Sequence, residues 1–138
     1  KESVAQDLAA SMAESFTYKL TPHYKYFNVE LLEKPDLDYT DEQEDLLENA
    51  LKYIEHNRYD KASALLTELV DSKGQQSYVA FYNLGVVKEA QGNYDKARLY
   101  YERADNLTGE AIEAVSIAYN RINAAIEEQR IINEQMNR

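Results

Sequence analysis

Residues 78–111 constrain the fold most, because two apolar stripes of helical period flank a Gly-Asn pair there. Before the pair, one face of a predicted helix carries Phe81, Leu84, Gly85, Val87 and Lys88. After the pair, the recurring residues are Tyr94, Ala97, Leu99, Tyr101 and Ala104. Gly92 can adopt the left-handed conformation that ends a helix, and Asn93 can cap the next helix. The pattern therefore predicts two amphipathic helices in contact, with the small residues Gly85 and Ala97 where they touch.

A weaker copy of this pattern lies about 35 residues upstream, where residues 57–62 echo residues 92–97. The helix predicted before it carries Leu47, Ala50, Leu51 and Ile54 on one side, and the helix after it carries Ala62, Leu65, Leu66, Leu69 and Val70. Ala50 again places a small residue at the helix contact. The upstream copy lacks the leading aromatic residue and has Asn49 where Leu84 stands.

The order aromatic, Leu-Gly, Gly-Asn-Tyr, Ala, aromatic, Ala strongly resembles the tetratricopeptide repeat. The resemblance implies an all-α fold: a right-handed superhelix of antiparallel helix pairs, with repeats at about 43–77 and 78–111. A long capping helix is expected at about 110–136, and an N-terminal helix with an extended arm before the stack. The expected helices span about 41–56, 58–72, 76–91 and 94–107, followed by the capping helix.

Two capping residues and one apolar stripe support these boundaries. Thr40 followed by Gln43 is a capping-box pattern, and Thr108 is a candidate cap for the last helix. The stripe of the last helix that faces inward consists of Val115, Ala118, Tyr119, Ile122, Ala125 and Ile126. Its polar outer face is typical of the helix that closes a repeat stack.

The first 38 residues have a different character and form a separate predicted unit, 1–38, beside the helical unit 39–138. Residues 2–20 carry Val4, Leu8, Met12 and Phe16 at four-residue steps, which predicts a helix that Pro22 ends. Tyr26–Leu32 is rich in aromatic and branched residues and is predicted to be extended. No partner strand is visible, so this segment either pairs with an upstream domain or lies along the helices as an arm. Residues 35–38 read as a linker.

Composition excludes several classes of partner. The formal charge is -10, from 25 acidic against 15 basic residues, so nucleic-acid phosphates and anionic lipids are repelled. There is no cysteine, which excludes disulfides and zinc-thiolate sites.

No apolar run approaches the roughly 18 residues of a membrane span, so direct insertion of this segment is not expected. The chain opens at Lys1, which predicts that it is cut from a longer protein or processed.

Little in the sequence indicates catalysis, so we expect a non-enzymatic protein without a cofactor or metal. The two histidines, His23 and His56, lie in a predicted loop and at a helix end. The spacing of Asp36, Asp38 and Asp41 is loop-like, but no glycine stands where a calcium loop must turn. The glycines are isolated, so no loop can cradle a phosphate.

The resemblance to tetratricopeptide repeats implies a concave groove, lined by the first helix of each pair, that holds an extended peptide or a helix. The implied groove residues are Leu47, Glu48, Leu51, Ile54, Glu55, Val79, Tyr82, Asn83, Val86, Glu89 and Asn120, with Ser116 and Asn123 beside them. Only Asn83 falls on a position of the clamp that holds a peptide carboxylate in some members. The groove is therefore expected to suit a hydrophobic or basic partner, unless residues 2–20 of the chain already fill it.

Three functional interpretations stay open. The first is a protein-interaction or scaffold module of a larger protein, with an unidentified protein or peptide partner. The second is a structural module that packs on its own upstream domain or self-associates, with the groove filled. The third is an accessory piece of an enzyme. The arrangement of the whole chain is also similar to bacterial envelope lipoproteins with a C-terminal repeat module, which implies an envelope or periplasmic location, with the cytoplasm as the alternative.

Overall fold

The computed structural model describes residues 15–19 and 26–137, with side chains from residue 28 onward, and the described part is mostly helical. Two short strands come first, β1 (Ser15–Lys19) and β2 (Tyr26–Glu30). The helices that follow are α1 (Asp41–Glu55), α2 (Tyr59–Ser72), α3 (Tyr78–Ala90), α4 (Tyr94–Asn106) and α5 (Glu113–Met136). The first four begin and end within two residues of their predicted bounds, and the long last helix begins about three residues later than predicted.

The N-terminal part differs from its prediction. Ser15–Lys19 was expected to end a helix over residues 2–20, but it is strand β1, and this prediction is wrong there. The rest of that helix and Pro22 lie outside the described residues. The extended conformation predicted for the next segment is confirmed over β2, but the expectation that no partner exists in this chain is wrong. The two strands pair antiparallel, with Ser15 opposite Glu30 and Phe16 opposite Val29.

The start of α1 is set by a reciprocal cap. The Gln43 backbone N–H donates to Thr40 Oγ1 at 3.1 Å, and the Thr40 N–H donates to Gln43 Oε1 at 2.9 Å. Asp41, Glu42 and Glu44 place negative charge near the positive end of the helix dipole. The predicted capping box is therefore confirmed.

Replacing Thr40 with alanine should lower the free energy of unfolding by about 1 kcal/mol, because a backbone donor in the first turn of α1 loses its acceptor. Urea unfolding followed by circular dichroism measures the change. Thr67→Ala is the matched control, since Thr67 is exposed in the interior of α2. If both variants lose the same amount, the cap contributes nothing specific.

The other helix ends follow their predictions in one case and not in another. Gly92 has φ +83°, in the left-handed region, and Asn93 Oδ1 accepts from the Lys96 N–H at 3.4 Å, as expected. Thr108 does not cap α5, whose N-cap is Ile112 without a side-chain hydrogen bond. The Thr108 hydroxyl instead donates within its loop, to the carbonyls of Asp105 and Glu110. A competing local hydrogen bond explains the failed prediction.

Each helix packs against the next one along the chain, α1 on α2, α2 on α3, α3 on α4 and α4 on α5. Helix α3 lies at the centre and differs from the amphipathic helix that its sequence predicted. Its buried residues point in every direction: Val79, Ala80, Phe81, Tyr82, Asn83, Leu84, Gly85, Val86, Val87 and Glu89. A helix buried on all sides needs cover beyond its two neighbouring helices, and the segment after β2 supplies it.

Candidate functional site

The structure places the implied groove residues in two environments. The exposed ones are Glu48, Glu55 and Asn120, with Ser116 and Asn123 half-buried. The buried ones are Leu47, Leu51, Ile54, Val79, Tyr82, Asn83, Val86 and Glu89. The apolar members of the buried set belong to one continuous core that also contains Val29 and Leu31 from the N-terminal part of the chain. The polar members of the buried set form hydrogen bonds to other segments of the chain.

Tyr82 and Asn83 of α3, here called the α3 clamp, bind the backbone of the extended segment 26–32, here called the arm. The Asn83 amide donates from Nδ2 to the Leu32 carbonyl at 2.7 Å and accepts the Leu32 N–H on Oδ1 at 3.1 Å. The Tyr82 hydroxyl donates to the Glu30 carbonyl at 2.6 Å. All three hydrogen bonds reach main-chain atoms of the arm, so they recognise its extended shape and not its side chains.

The arm is also anchored by apolar side chains two residues apart. Val29 is 1% exposed and Leu31 is 0% exposed. Burying a side chain of this size stabilises by about 1.5–3 kcal/mol. The described segment on the groove face of α3 is therefore 29–32. The sequence left open whether residues 2–20 fill the groove; of these, 15–19 pair with β2, and the others lie outside the described residues.

Beyond the arm, Asp36 lies in the segment that leads to α1, and its side chain binds the N-terminus of α3. Its carboxylate accepts from the Ser77 hydroxyl at 2.6 Å and from the Tyr78 N–H at 2.9 Å. Asp36 thus complements the positive end of the helix dipole and satisfies a donor that α3 cannot satisfy itself. In the part of the chain that the structure describes, no group of three or more His, Cys, Asp or Glu side chains is arranged to hold a metal ion.

Glu89, one of the implied groove residues, lies in a buried ionic network. Arg121 of α5 donates from Nε to Glu89 Oε2 at 2.8 Å and from Nη2 to Oε1 at 2.9 Å. The Tyr101 hydroxyl donates to Oε1 at 2.7 Å. Sequence reasoning missed Arg121. Its signal was a single acid at the end of an apolar helix, which needs a cation when buried.

Tyr39 gives this region a pH dependence. Its hydroxyl lies 2.6 Å from Ser77 Oγ and donates to Asp36 Oδ1 at 3.4 Å. Burial raises the pKa of Tyr39 from 10.0 to about 12; the Ser77 hydrogen bond lowers that pKa, and the charge of Asp36 raises it. Because the folded-state pKa is the higher one, protonated Tyr39 makes its full contribution to the free energy of unfolding below pH 10. This contribution is lost as the pH rises from about 10 through about 12.

We expect Tyr39→Phe to make the free energy of unfolding fall less steeply over this pH range. Urea unfolding of both proteins at several pH values between about 9 and about 12 gives the two slopes. The slopes are compared, and not the absolute stabilities, because phenylalanine also loses the hydrogen bonds. Burial raises the pKa of Tyr82 as well, so the slope shrinks without vanishing. Equal slopes would contradict the conclusion that Tyr39 causes this pH dependence.

The remaining findings concern membrane spanning and relatedness to known proteins. In the described part of the chain, no helix combines the length and the apolar character that crossing a membrane requires. Searches of curated proteins and of solved structures found no match to the chain. A family model described as a domain of unknown function (DUF6340) matches residues 48–134, from within α1 to near the end of α5. Because this match spans more than half of the 138 residues, the chain belongs to the DUF6340 family.

Proposed function

We propose that the chain is a non-enzymatic module of tetratricopeptide type whose concave face holds an extended chain segment, its own arm. In this proposal α1–α4 form two repeats and α5 closes the stack. The sequential packing of the helices and the burial of Gly85 against Tyr101 support the repeat assignment. The observation that carries the function is the pair of hydrogen bonds from Asn83 to both backbone groups of Leu32.

The role of this contact is to fix the N-terminal hairpin to the helical stack. A hairpin of two strands is marginally stable alone and needs to pack on another element. Strand β2 gains that support because the clamp engages Glu30 at its last residue and Leu32 just beyond. The module therefore anchors the N-terminal part of the chain to the helices.

The polar groups of the groove face support a binding role. The buried side chains of Ser77, Asn83 and Glu89 all form hydrogen bonds within the fold. Two of these side chains join separate segments of the chain, since Asn83 binds the arm and Glu89 binds Tyr101 of α4. An interaction module is thus the function that best fits the described residues.

Asn83→Ala tests the proposal. Amides of residues 26–31, whose hydrogen bonds do not involve Asn83, should exchange with solvent about 10-fold faster, because removing the clamp favours local opening of the arm. Hydrogen exchange read by mass spectrometry measures the rates. Asn120→Ala, at an exposed position of α5, is the matched control and should leave them unchanged. Unchanged arm exchange in Asn83→Ala would rule out the clamp.

A further inference from the structure

We infer that α5 carries a self-complementary surface through which two copies of this chain associate, with their α5 helices antiparallel. This inference goes beyond the proposed function and does not depend on the arm. The surface, here called the α5 strip, consists of Ile117, Ala124 and Ile131. Three features of the described residues carry it: the exposure of the strip, its symmetric spacing and the charges beside it.

The α5 strip is apolar, yet it is left exposed in the described structure. Ile117 is 54% exposed and Ile131 is 41% exposed, and Ala124 between them is exposed as well. Successive members are seven residues apart, which is nearly two helical turns, so all three lie on one side of α5. The face that α5 buries is a different one and includes Ala118 and Ile122. Packing of the described residues therefore does not account for the strip.

The spacing of the strip fits a second copy of itself. If a two-fold axis passes between the Ala124 residues of two antiparallel helices, residues equally far from position 124 face each other. Ile117 comes seven residues before Ala124 and Ile131 seven residues after it, so Ile117 of each copy faces Ile131 of the other. One contact thus covers both isoleucines of both copies, as an isologous interface requires. The small side chain of Ala124 on the axis lets the helices approach closely.

The charges beside the strip favour the antiparallel orientation over the parallel one. Arg121 lies three residues before Ala124 and Glu128 lies four residues after it, so opposite charges of the two copies come together. A parallel pair would instead bring Glu128 near Glu128 and Arg121 near Arg121. Arg121 also binds Glu89 of its own chain, so its effect on the pair is to set orientation more than strength.

The association is expected to be weak and dependent on salt. Each copy carries a net charge of -10, which repels a second copy at long range. At about 0.15 M salt the Debye length is about 8 Å, so distant charges are screened and the contacts at the strip decide the outcome. A single apolar strip is also narrower than the interface of a permanent dimer. We therefore expect a reversible equilibrium between monomer and dimer.

Sedimentation equilibrium of the wild-type chain between about 5 and about 500 µM should show this equilibrium, because a contact of this size is weak. Ile131→Lys should weaken dimerisation by at least about 10-fold, since the new charge would be buried against Ile117 of the second copy. Ile117→Glu should weaken it for the same reason. Leu99→Lys is the matched control, because Leu99 is 42% exposed on α4 and lies outside the strip. It should leave dimerisation unchanged.

Mixing the Ile117→Glu chain with the Ile131→Lys chain tests the antiparallel arrangement. In a mixed pair, one contact joins the two introduced charges of opposite sign, and the other keeps an isoleucine against an isoleucine. The mixture should therefore associate at least about 3-fold more tightly than either variant alone. A parallel pair would place each introduced charge against an isoleucine, and mixing would give no gain.

Three results would overturn the inference. The first is a wild-type chain that stays monomeric up to about 500 µM, which is a measurement that needs no variant. The second is a dimer that both strip variants leave intact, because association would then use another surface. The third is a mixture that gains nothing over the single variants. None of these results affects hydrogen exchange in the arm, so this inference and the proposed function fail separately.

Discussion

Replacing Arg121 with methionine is expected to lower the free energy of unfolding by about 3–5 kcal/mol, because Glu89 would remain buried without its cation. The Glu89 side chain is 0% exposed and that of Arg121 is 12% exposed. After the substitution, the hydroxyl of Tyr101 would still donate to Glu89, but one neutral hydrogen bond does not offset a buried charge. Urea unfolding followed by circular dichroism measures the change.

Two comparisons make this prediction specific. Arg130→Met lies on the same helix and breaks ion pairs whose side chains are more than half exposed, so it should lower the free energy of unfolding far less than Arg121→Met does. Adding Glu89→Gln to Arg121→Met removes the buried charge and keeps an acceptor for Tyr101. The double variant should therefore be more stable than Arg121→Met alone. Equal losses for Arg121→Met and Arg130→Met would mean that the buried network is not stabilising.

Replacing Gly85 with valine should lower the free energy of unfolding by about 3 kcal/mol, through overpacking between α3 and α4. A Cβ atom at position 85 would lie 2.6 Å from Cε1 and 2.7 Å from Cδ1 of Tyr101. The ring cannot move aside easily, since Tyr101 is 0% exposed and its hydroxyl is held by Glu89. Gly85→Ala should cost less, because the higher helix propensity of alanine offsets about 1 kcal/mol.

Gly109→Ala is the control for this pair of variants. Nothing lies within 4 Å of a Cβ atom at position 109, so alanine there should change stability by less than about 0.5 kcal/mol. Thermal or urea unfolding of the three variants gives the order. If Gly85→Val were as stable as Gly109→Ala, the close approach of α3 and α4 would not require glycine.

Gly85 and Glu89 lie on the part of α3 that faces α4 and α5, whereas the α3 clamp binds the arm. Gly85 meets Tyr101 of α4, and Glu89 meets Arg121 of α5. Tyr82 contacts both the arm and α4. Its hydroxyl donates to the arm, and its ring centroid lies 5.7 Å from that of Tyr101. Asn83 bonds to the arm, and Asn83→Ala is thus the cleaner substitution for separating arm release from loss of global stability.

Much of the helical part could be predicted from the sequence because its determinants are local. The capping box of Thr40 and Gln43 joins residues three apart, and Gly92 ends α3 through its own backbone conformation. The glycine at position 85 also indicated a close helix contact, because a residue without a side chain lets two helix backbones approach. Tyr82 and Asn83 were placed on a binding face from the repeat pattern alone.

The same local reasoning failed at β1. Phe16 continues a four-residue apolar spacing from Val4, Leu8 and Met12, which favoured a helix through residue 20. Phe16, Thr17 and Tyr18 also favour a strand once a partner strand is available, and β2 supplies that partner. Strand preference depends on the neighbour, so spacing within one segment could not decide between the two.

By itself, the sequence determined most of the helix ends, the spacing of the apolar faces and the extended form of the segment before α1, since each depends on groups a few residues apart. Only the tertiary structure decided what covers α3. Asn83 and Leu32 are 51 residues apart, and Arg121 and Glu89 are 32 apart. Such pairs are brought together by the packing of whole elements, because a buried amide or carboxylate must find partners wherever the fold supplies them.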